Sequence, residues 1–158
     1  MSEEKKMINL TIDGIPVTVE EGTTILKAAA SVGIEIPTLC YLKDLAPDGA
    51  CRVCVVEVVG AKKPLVTACS EPCMEGMEVL TDSDAARDSR KFVLDLLVST
   101  HNKDCFSCAA NGACKLQEYA FAYGVDDPEF DGNKPDWAPI DSSNPFFEYD
   151  PSKCILCR

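Results

Sequence analysis

The residue types able to do chemistry in this 158-residue chain are ten cysteines and a single histidine, and they fall into three groups. Cys40, Cys51, Cys54 and Cys69 are spaced C-x10-C-x2-C-x14-C, with Cys73 just behind. His101, Cys105, Cys108 and Cys114 are spaced H-x3-C-x2-C-x5-C, and Cys154 and Cys157 form a last Cys-x-x-Cys pair. A Cys-x-x-Cys turn brings two thiolates onto one metal pair, and one sulfur from each flanking loop completes the four-thiolate ligation of a 2Fe-2S cluster. Gly49 and Ala50, ahead of Cys51, suit a tight loop whose backbone N–H groups point at sulfur and so help set a potential. In the second group three thiols are one short of the four ligands that a 4Fe-4S cluster requires, and the imidazole of His101 completes the set. A neutral imidazole in place of a thiolate makes such a site less negative and favours its reduced form.

No catalytic constellation accompanies these residues. The chain has no Gly-rich nucleotide loop, no histidine left over as a general base and no nucleophile paired with a base, so no residue is assigned a catalytic role. Lys plus Arg number 15 against 26 for Asp plus Glu, a net charge of -11 that repels phosphate and excludes nucleic acid as a partner. The apolar runs "VCVVEVVGA" and "FVLDLLV" fall short of the roughly 18 residues of a membrane span. The charged start "MSEEKKMINL" lacks the apolar stretch of an export signal. The expected location is cytoplasmic, where a reducing pool keeps thiols free, so the cysteines read as metal ligands rather than disulfides. A composition 46% hydrophobic supports an ordinary core without such staples. Zinc held by the pairs 51/54 and 105/108 is the competing reading. The gap between those pairs far exceeds that of common zinc ribbons, and the remaining thiols would be left without a role.

The elements that must position these groups follow from periodicity. Residues 7 to 19 alternate apolar and polar about Asp13-Gly14, which reads as a β-hairpin. "TTILKAAASVG" reads as a short helix with a Thr cap, an inner face of Ile25, Leu26, Ala29 and Ala30, and Gly33 at its end. "VCVVEVVG", "PLVTA" and "MEVLT" read as returning strands. "TDSDAARDSRKFVLDLLVSTH" reads as a helix with several capping candidates, a stripe of Phe92, Val93, Leu96 and Leu97, and His101 at its C-terminal end. "KLQEYAFAYG" reads as a second short helix ending at Gly124. From Val125 to Pro151, six Asp, two Glu and five Pro without a period predict an extended surface connection.

The stretch "IEIPTLCYLKDLAPDGACRVCVVEV", followed by "LVTACSEPCMEGM", resembles the 2Fe-2S domain that begins the large iron–sulfur subunit of respiratory complex I. The same domain begins multimeric iron-only hydrogenases and NAD(P)-linked formate dehydrogenases. The H-x3-C-x2-C-x5-C motif with "GACKLQ" looks like the 4Fe-4S segment that follows it there, and "STHNKDC" and "CKLQEYA" lean toward the hydrogenase and formate dehydrogenase branch. The resemblance implies an α+β fold: a β-grasp, ferredoxin-like domain (residues 1–82), a small helical 4Fe-4S domain (83–124), and an extended tail (125–158). It places the fourth ligand of the 2Fe-2S cluster at Cys69 and leaves Cys73 a structural thiol. It assigns His101, Cys105, Cys108 and Cys114 to the 4Fe-4S cluster. "NPFFEYDPSKCILC" looks like the entry to a two-cluster ferredoxin domain, so Cys154 and Cys157 are half of a 4Fe-4S site. The expectation is a fragment of a larger subunit, with further 4Fe-4S clusters beyond Arg158. The implied partners are a flavin subunit that exchanges electrons with NAD(P) and a small 2Fe-2S subunit. The implied function is electron relay toward a hydrogenase, the electron-bifurcating kind included, or a formate dehydrogenase. The alternative is a metal-stabilised scaffold that docks subunits without redox turnover.

Overall fold

A computed structural model describes residues 6–132 and 137–155. The chain divides into two compact units, and the division falls between Arg90 and Lys91.

The first unit starts with the hairpin of β1 (Met7–Ile12) and β2 (Ile15–Glu20). Asp13 and Gly14 both take positive φ, 49° and 78°, the geometry of a turn whose twist matches that of the flanking strands. The Asp13 carboxylate accepts from the backbone N–H and the hydroxyl of Thr81, so the turn is also tied to the end of the sheet. Then come α1 (Ile25–Ser31), β3 (Val55–Val58), β4 (Leu65–Thr67) and β5 (Glu78–Leu80). The five strands order as β2-β1-β5-β3-β4. β1 and β5 run parallel; the other neighbours are antiparallel. Alternation along β1 puts Ile8, Leu10 and Ile12 inside, where they meet Val17, Val19, Val56, Val79 and the inner face of α1. This is the α+β, β-grasp arrangement that the sequence led us to expect.

Two local expectations need correction. The inner face of α1 is Ile25, Leu26, Ala28 and Ala29, with Ala30 exposed. Thr24 stands at the N-cap but its hydroxyl makes no cap bond and is buried without a partner. The reason is that backbone carbonyls have taken over the helix start: Ile25 N–H donates to Glu71 O and Leu26 N–H to Ala68 O.

The helix α2 (Asp84–Thr100) begins at Ser83, whose hydroxyl accepts from the Ala86 N–H. Its buried residues are Ala86, Arg90, Leu94, Asp95 and Ser99, whereas Phe92 and Leu96 are exposed. The stripe inferred from hydrophobicity was therefore misplaced, because three of the five buried positions are polar and carry their own partners. Arg90, 2% exposed, donates to the carbonyls of Val55 and Thr81 and reaches Asp82, which joins α2 to β3 and to the end of β5.

In the second unit Asp95 accepts from the N–H groups of Glu129 and Phe130, and Phe130 meets Phe92 edge-on at 5.4 Å between centroids. The helix α3 (Lys115–Ala122) buries Leu116 and Ala120, and the short 3-10 helix η1 (Pro151–Lys153) is capped by Asp150. Among the described residues from Val125 to Asp150 the only ladder pairing is the bridge between Asp141 and Tyr149, as an extended connection requires. Among the described residues no helix is long and apolar enough to cross a membrane.

Arg90→Met keeps the aliphatic stem but strands two buried carbonyls. We expect a loss of about 3 kcal/mol of stability, read as a lower urea midpoint with an unchanged slope. A wild-type midpoint would show that the guanidinium is dispensable to the sheet.

Candidate metal centres

The first group of cysteines sits at one end of the sheet, on three loops. Cys40 lies in the long connection after α1, half-buried, while Cys51, Cys54 and Cys69 are all buried. The segment 49–52 is sharply bent: Gly49 takes φ 65° and Arg52, unusually for a residue with a side chain, φ 58°. A Cβ on Gly49 would already touch the Ser70 hydroxyl at 3.4 Å, and that hydroxyl is itself 2.7 Å from Thr67 Oγ1, so glycine lets the Cys51 loop lie against the Cys69 turn. Ala68 N–H donates to Cys54 O at 3.0 Å and links the two ligand-bearing segments directly.

Electrostatics show that the four sulfurs share one neighbourhood. Burial pushes Cys51 up, but the backbone N–H groups of Val53, Cys40 and Leu39, with the Cys40 side chain, more than offset it and hold its thiol below the ordinary value. Burial raises Cys40, and the nearby Cys51 and Cys69 sulfurs add to the rise. Cys54 is pushed up to about 12, by burial first and then by Cys69 and Cys51, against a backbone hydrogen bond from Cys69. Amide groups aimed at sulfur are what a thiolate-ligated cluster uses to spread its negative charge. Cys73 stands apart: its N–H donates to Thr23 O, its side chain belongs to the hydrophobic core, and burial alone raises its thiol.

Three of the second group, His101, Cys105 and Cys114, help line a cavity of about 430 Å³ in the second unit. His101 follows the last turn of α2, its N–H donating to Val98 O. Its Nδ1 is buried and has no hydrogen-bond partner. Burial lowers the imidazole pKa, the Lys153 ammonium lowers it further, and the backbone of Cys154 partly offsets both. A buried imidazole nitrogen without a partner is costly, and a metal ion is the natural acceptor of its lone pair. Cys105 and Cys108 bracket a turn in which Cys108 N–H donates to Cys105 O. Cys108 is half-buried but does not line the cavity. Cys114 is the N-cap residue of α3 and makes no side-chain cap bond, so its sulfur is not committed to the helix.

Among the described residues no three His, Cys, Asp or Glu side chains meet tightly enough to hold a single metal ion. The donors of a cluster need not meet at one point, because each binds a different corner of an inorganic core. The donor types, the amides aimed at sulfur and the unpartnered nitrogen beside a cavity all fit such cores. Cys154 ends η1, half-buried, with its N–H on Pro151 O; Cys157 lies outside the described residues. Reading the sequence missed the contributions of Arg52, Ser70 and Lys153, none of which carries a ligand-type side chain. The position of Arg52 between two cysteines was the one available signal.

Residues 5–84 match the family described as the 2Fe-2S iron-sulfur cluster binding domain. Residues 90–129 match the NADH-ubiquinone oxidoreductase-G iron-sulfur binding region. The NADPH-Fe(3+) oxidoreductase subunit alpha of Geobacter sulfurreducens is 44% identical over 96% of this chain and 18% of its own length. The NADP-reducing hydrogenase subunit HndD of Solidesulfovibrio fructosivorans is 42% identical over 96% of this chain and 26% of its own. The NADH-ubiquinone oxidoreductase 75 kDa subunit of Reclinomonas americana is 38% identical over 96% and 22%. The chain thus spans about a fifth to a quarter of these relatives. A chain in the crystal structure of an NAD+-reducing NiFe hydrogenase in the H2-reduced state superimposes with a TM-score of 0.86 at 34% identity, covering 95% of this chain and 62% of that one.

His101→Ala should lower bound iron by the complement of one cluster, roughly four irons per chain, with the far-UV spectrum of the sheet preserved; His101→Cys should restore the iron. Iron and acid-labile sulfide assays on anaerobically prepared protein decide the matter. Full iron in the alanine variant would make the imidazole a bystander.

Proposed function

Because the chain belongs to the family of 2Fe-2S iron-sulfur cluster binding domains, we propose that it is the iron–sulfur electron-transfer module of a multisubunit NAD(P)-linked oxidoreductase. It binds a 2Fe-2S and a 4Fe-4S cluster. Cys40, Cys51, Cys54 and Cys69 hold the first, and His101, Cys105, Cys108 and Cys114 the second. Cys154 and Cys157 begin a further 4Fe-4S site. Residues 1–82 form the 2Fe-2S domain, 83–124 the 4Fe-4S domain, and 125–158 the connection to a further ferredoxin domain. The observation that carries this reading is the unpartnered His101 Nδ1 beside a cavity that Cys105 and Cys114 also line. An imidazole is there where three thiols alone leave a four-iron core one ligand short.

One-electron transfer is the chemistry that the two clusters supply when bound. The chain's own residues do the rest. Leu39, Cys40, Cys51, Val53 and Cys69 direct backbone N–H groups at sulfur and so favour the more negative state. Buried Val53, Val55 and Ala68 keep water from the inner side of the first site.

The partners in this proposal are a flavin subunit exchanging electrons with NAD(P) and a small 2Fe-2S subunit. The destination is a catalytic domain of the iron-only hydrogenase or formate dehydrogenase type. Relatives named for NADPH, NADP and NADH support the nicotinamide link. The cytoplasm is the compartment that keeps ten cysteines reduced and available.

Anaerobically prepared protein should be brown and bleach on addition of dithionite; colour that resists reduction would favour a docking scaffold. Cys69→Ala should abolish the electron paramagnetic resonance signal of the reduced 2Fe-2S cluster and remove about two irons per chain, whereas Cys73→Ala should keep both. The reverse pattern would assign the fourth ligand to Cys73.

A further inference from the structure

The loop between Cys108 and Cys114 must present two sulfurs to one site, yet it has neither strand nor helix to hold it. Two backbone bonds fold it: Asn111 N–H donates to Cys108 O at 3.1 Å and Ala113 N–H to Ala110 O at 3.0 Å. Gly112 takes φ 79°, and its N–H joins neither of those bonds. That N–H is taken up by Gln117, one turn into α3: Gly112 N–H donates to Gln117 Oε1 at 3.1 Å, and Gln117 Nε2 donates to Asn111 Oδ1 at 3.0 Å. The orientation of the amide is fixed by chemistry, since a backbone N–H can face only the oxygen end. Asn111 and Gln117 both line the cavity with His101, Cys105 and Cys114. Gln117 is carried by a helix anchored through buried Leu116 and Ala120.

We propose that Gln117 is a positioning residue for the 4Fe-4S site, its amide clamping Asn111 and Gly112 so that the Cys108–Cys114 loop keeps its sulfurs in ligating position. Gln117 touches no ligand side chain; it acts through the loop. The proposal rests on the assignment of His101, Cys105, Cys108 and Cys114 as ligands. Loss of the amide frees the loop to swing, and a loosely held thiolate exchanges with solvent and chelator sooner than a clamped one.

The test is the rate at which an iron chelator strips the 4Fe-4S cluster from anaerobic protein, with the 2Fe-2S signal as an internal control. Gln117→Leu keeps helix propensity and volume but deletes both clamp bonds. It should speed 4Fe-4S loss about tenfold and broaden that cluster's paramagnetic signal, leaving the 2Fe-2S rate unchanged. Gln117→Glu still accepts from Gly112, and Asn111 can rotate its amide to donate to the carboxylate, so this variant should return to within about twofold of wild type. Asn111→Ala, which cuts one bond without touching α3, should fall between. Wild-type rates in Gln117→Leu, or equal losses in the leucine and glutamate variants, would overturn the clamp. Wild-type protein without four-iron content would instead overturn the ligand assignment beneath it.

Discussion

At 1% exposure Cys54 keeps its sulfur in surroundings that push the thiol to about 12, burial being the main cause and the Cys69 and Cys51 sulfurs adding to it. A thiol so placed stays protonated at neutral pH, and gathering several such groups as thiolates is prohibitive without a compensating cation. A metal that binds the Cys54 sulfur has to displace that proton. Metal binding and deprotonation are one event, and the free energy of that event feeds directly into the stability of the loops concerned. The amides on Cys51 reduce the cost at one corner, which is why its thiol alone among the shifted cysteines falls below its ordinary value.

The fold keeps the four candidate cysteines off the strands. Cys40, Cys51 and Cys69 lie in connections, and Cys54 immediately precedes β3. Those connections are joined to one another by backbone bonds rather than by side chains. The first N–H groups of α1 go to Ala68 and Glu71, on either side of Cys69, and Cys73 N–H returns to Thr23. A helix start ordinarily satisfied by a cap residue is used here to dock a ligand turn. Cys73, by contrast, contributes packing to the core and a backbone bond to Thr23.

Much of this was legible because it follows local rules. Asp13-Gly14 demanded a hairpin turn, Gly33 ended α1 with φ 80°, and the H-x3-C-x2-C-x5-C spacing pointed at His101 before any geometry was known. The features that escaped were polar and non-local. Arg90 is buried because carbonyls 35 and nine residues away receive it, and no helical wheel announces such partners. With Arg90, Asp95 and Ser99 inside, the apolar stripe of Phe92 and Leu96 was free to face outward. Thr24 had the right residue type for a cap, but carbonyls more than forty residues later outcompeted its hydroxyl. Gln117 likewise reads as an ordinary helix residue until the loop in front of it is folded.

The two sites also differ in how they are held. The sulfurs of the first rest against a five-stranded sheet with a continuous apolar core, and three of the four are buried. In the second unit, Cys105, Cys108 and Cys114 are only half-buried, and the walls are two helical segments and turns. Polar latches do much of the fastening there: Asp95 on the N–H groups of Glu129 and Phe130, and Lys153 Nζ on Asp104 O at 3.3 Å. In a chain of net charge -11, a fourth thiolate at so open a site would add to an already unfavourable field. In the proposed ligand set a neutral imidazole takes the fourth place without that charge, which gives a physical reason for a histidine at position 101 where a fourth cysteine would satisfy coordination alone.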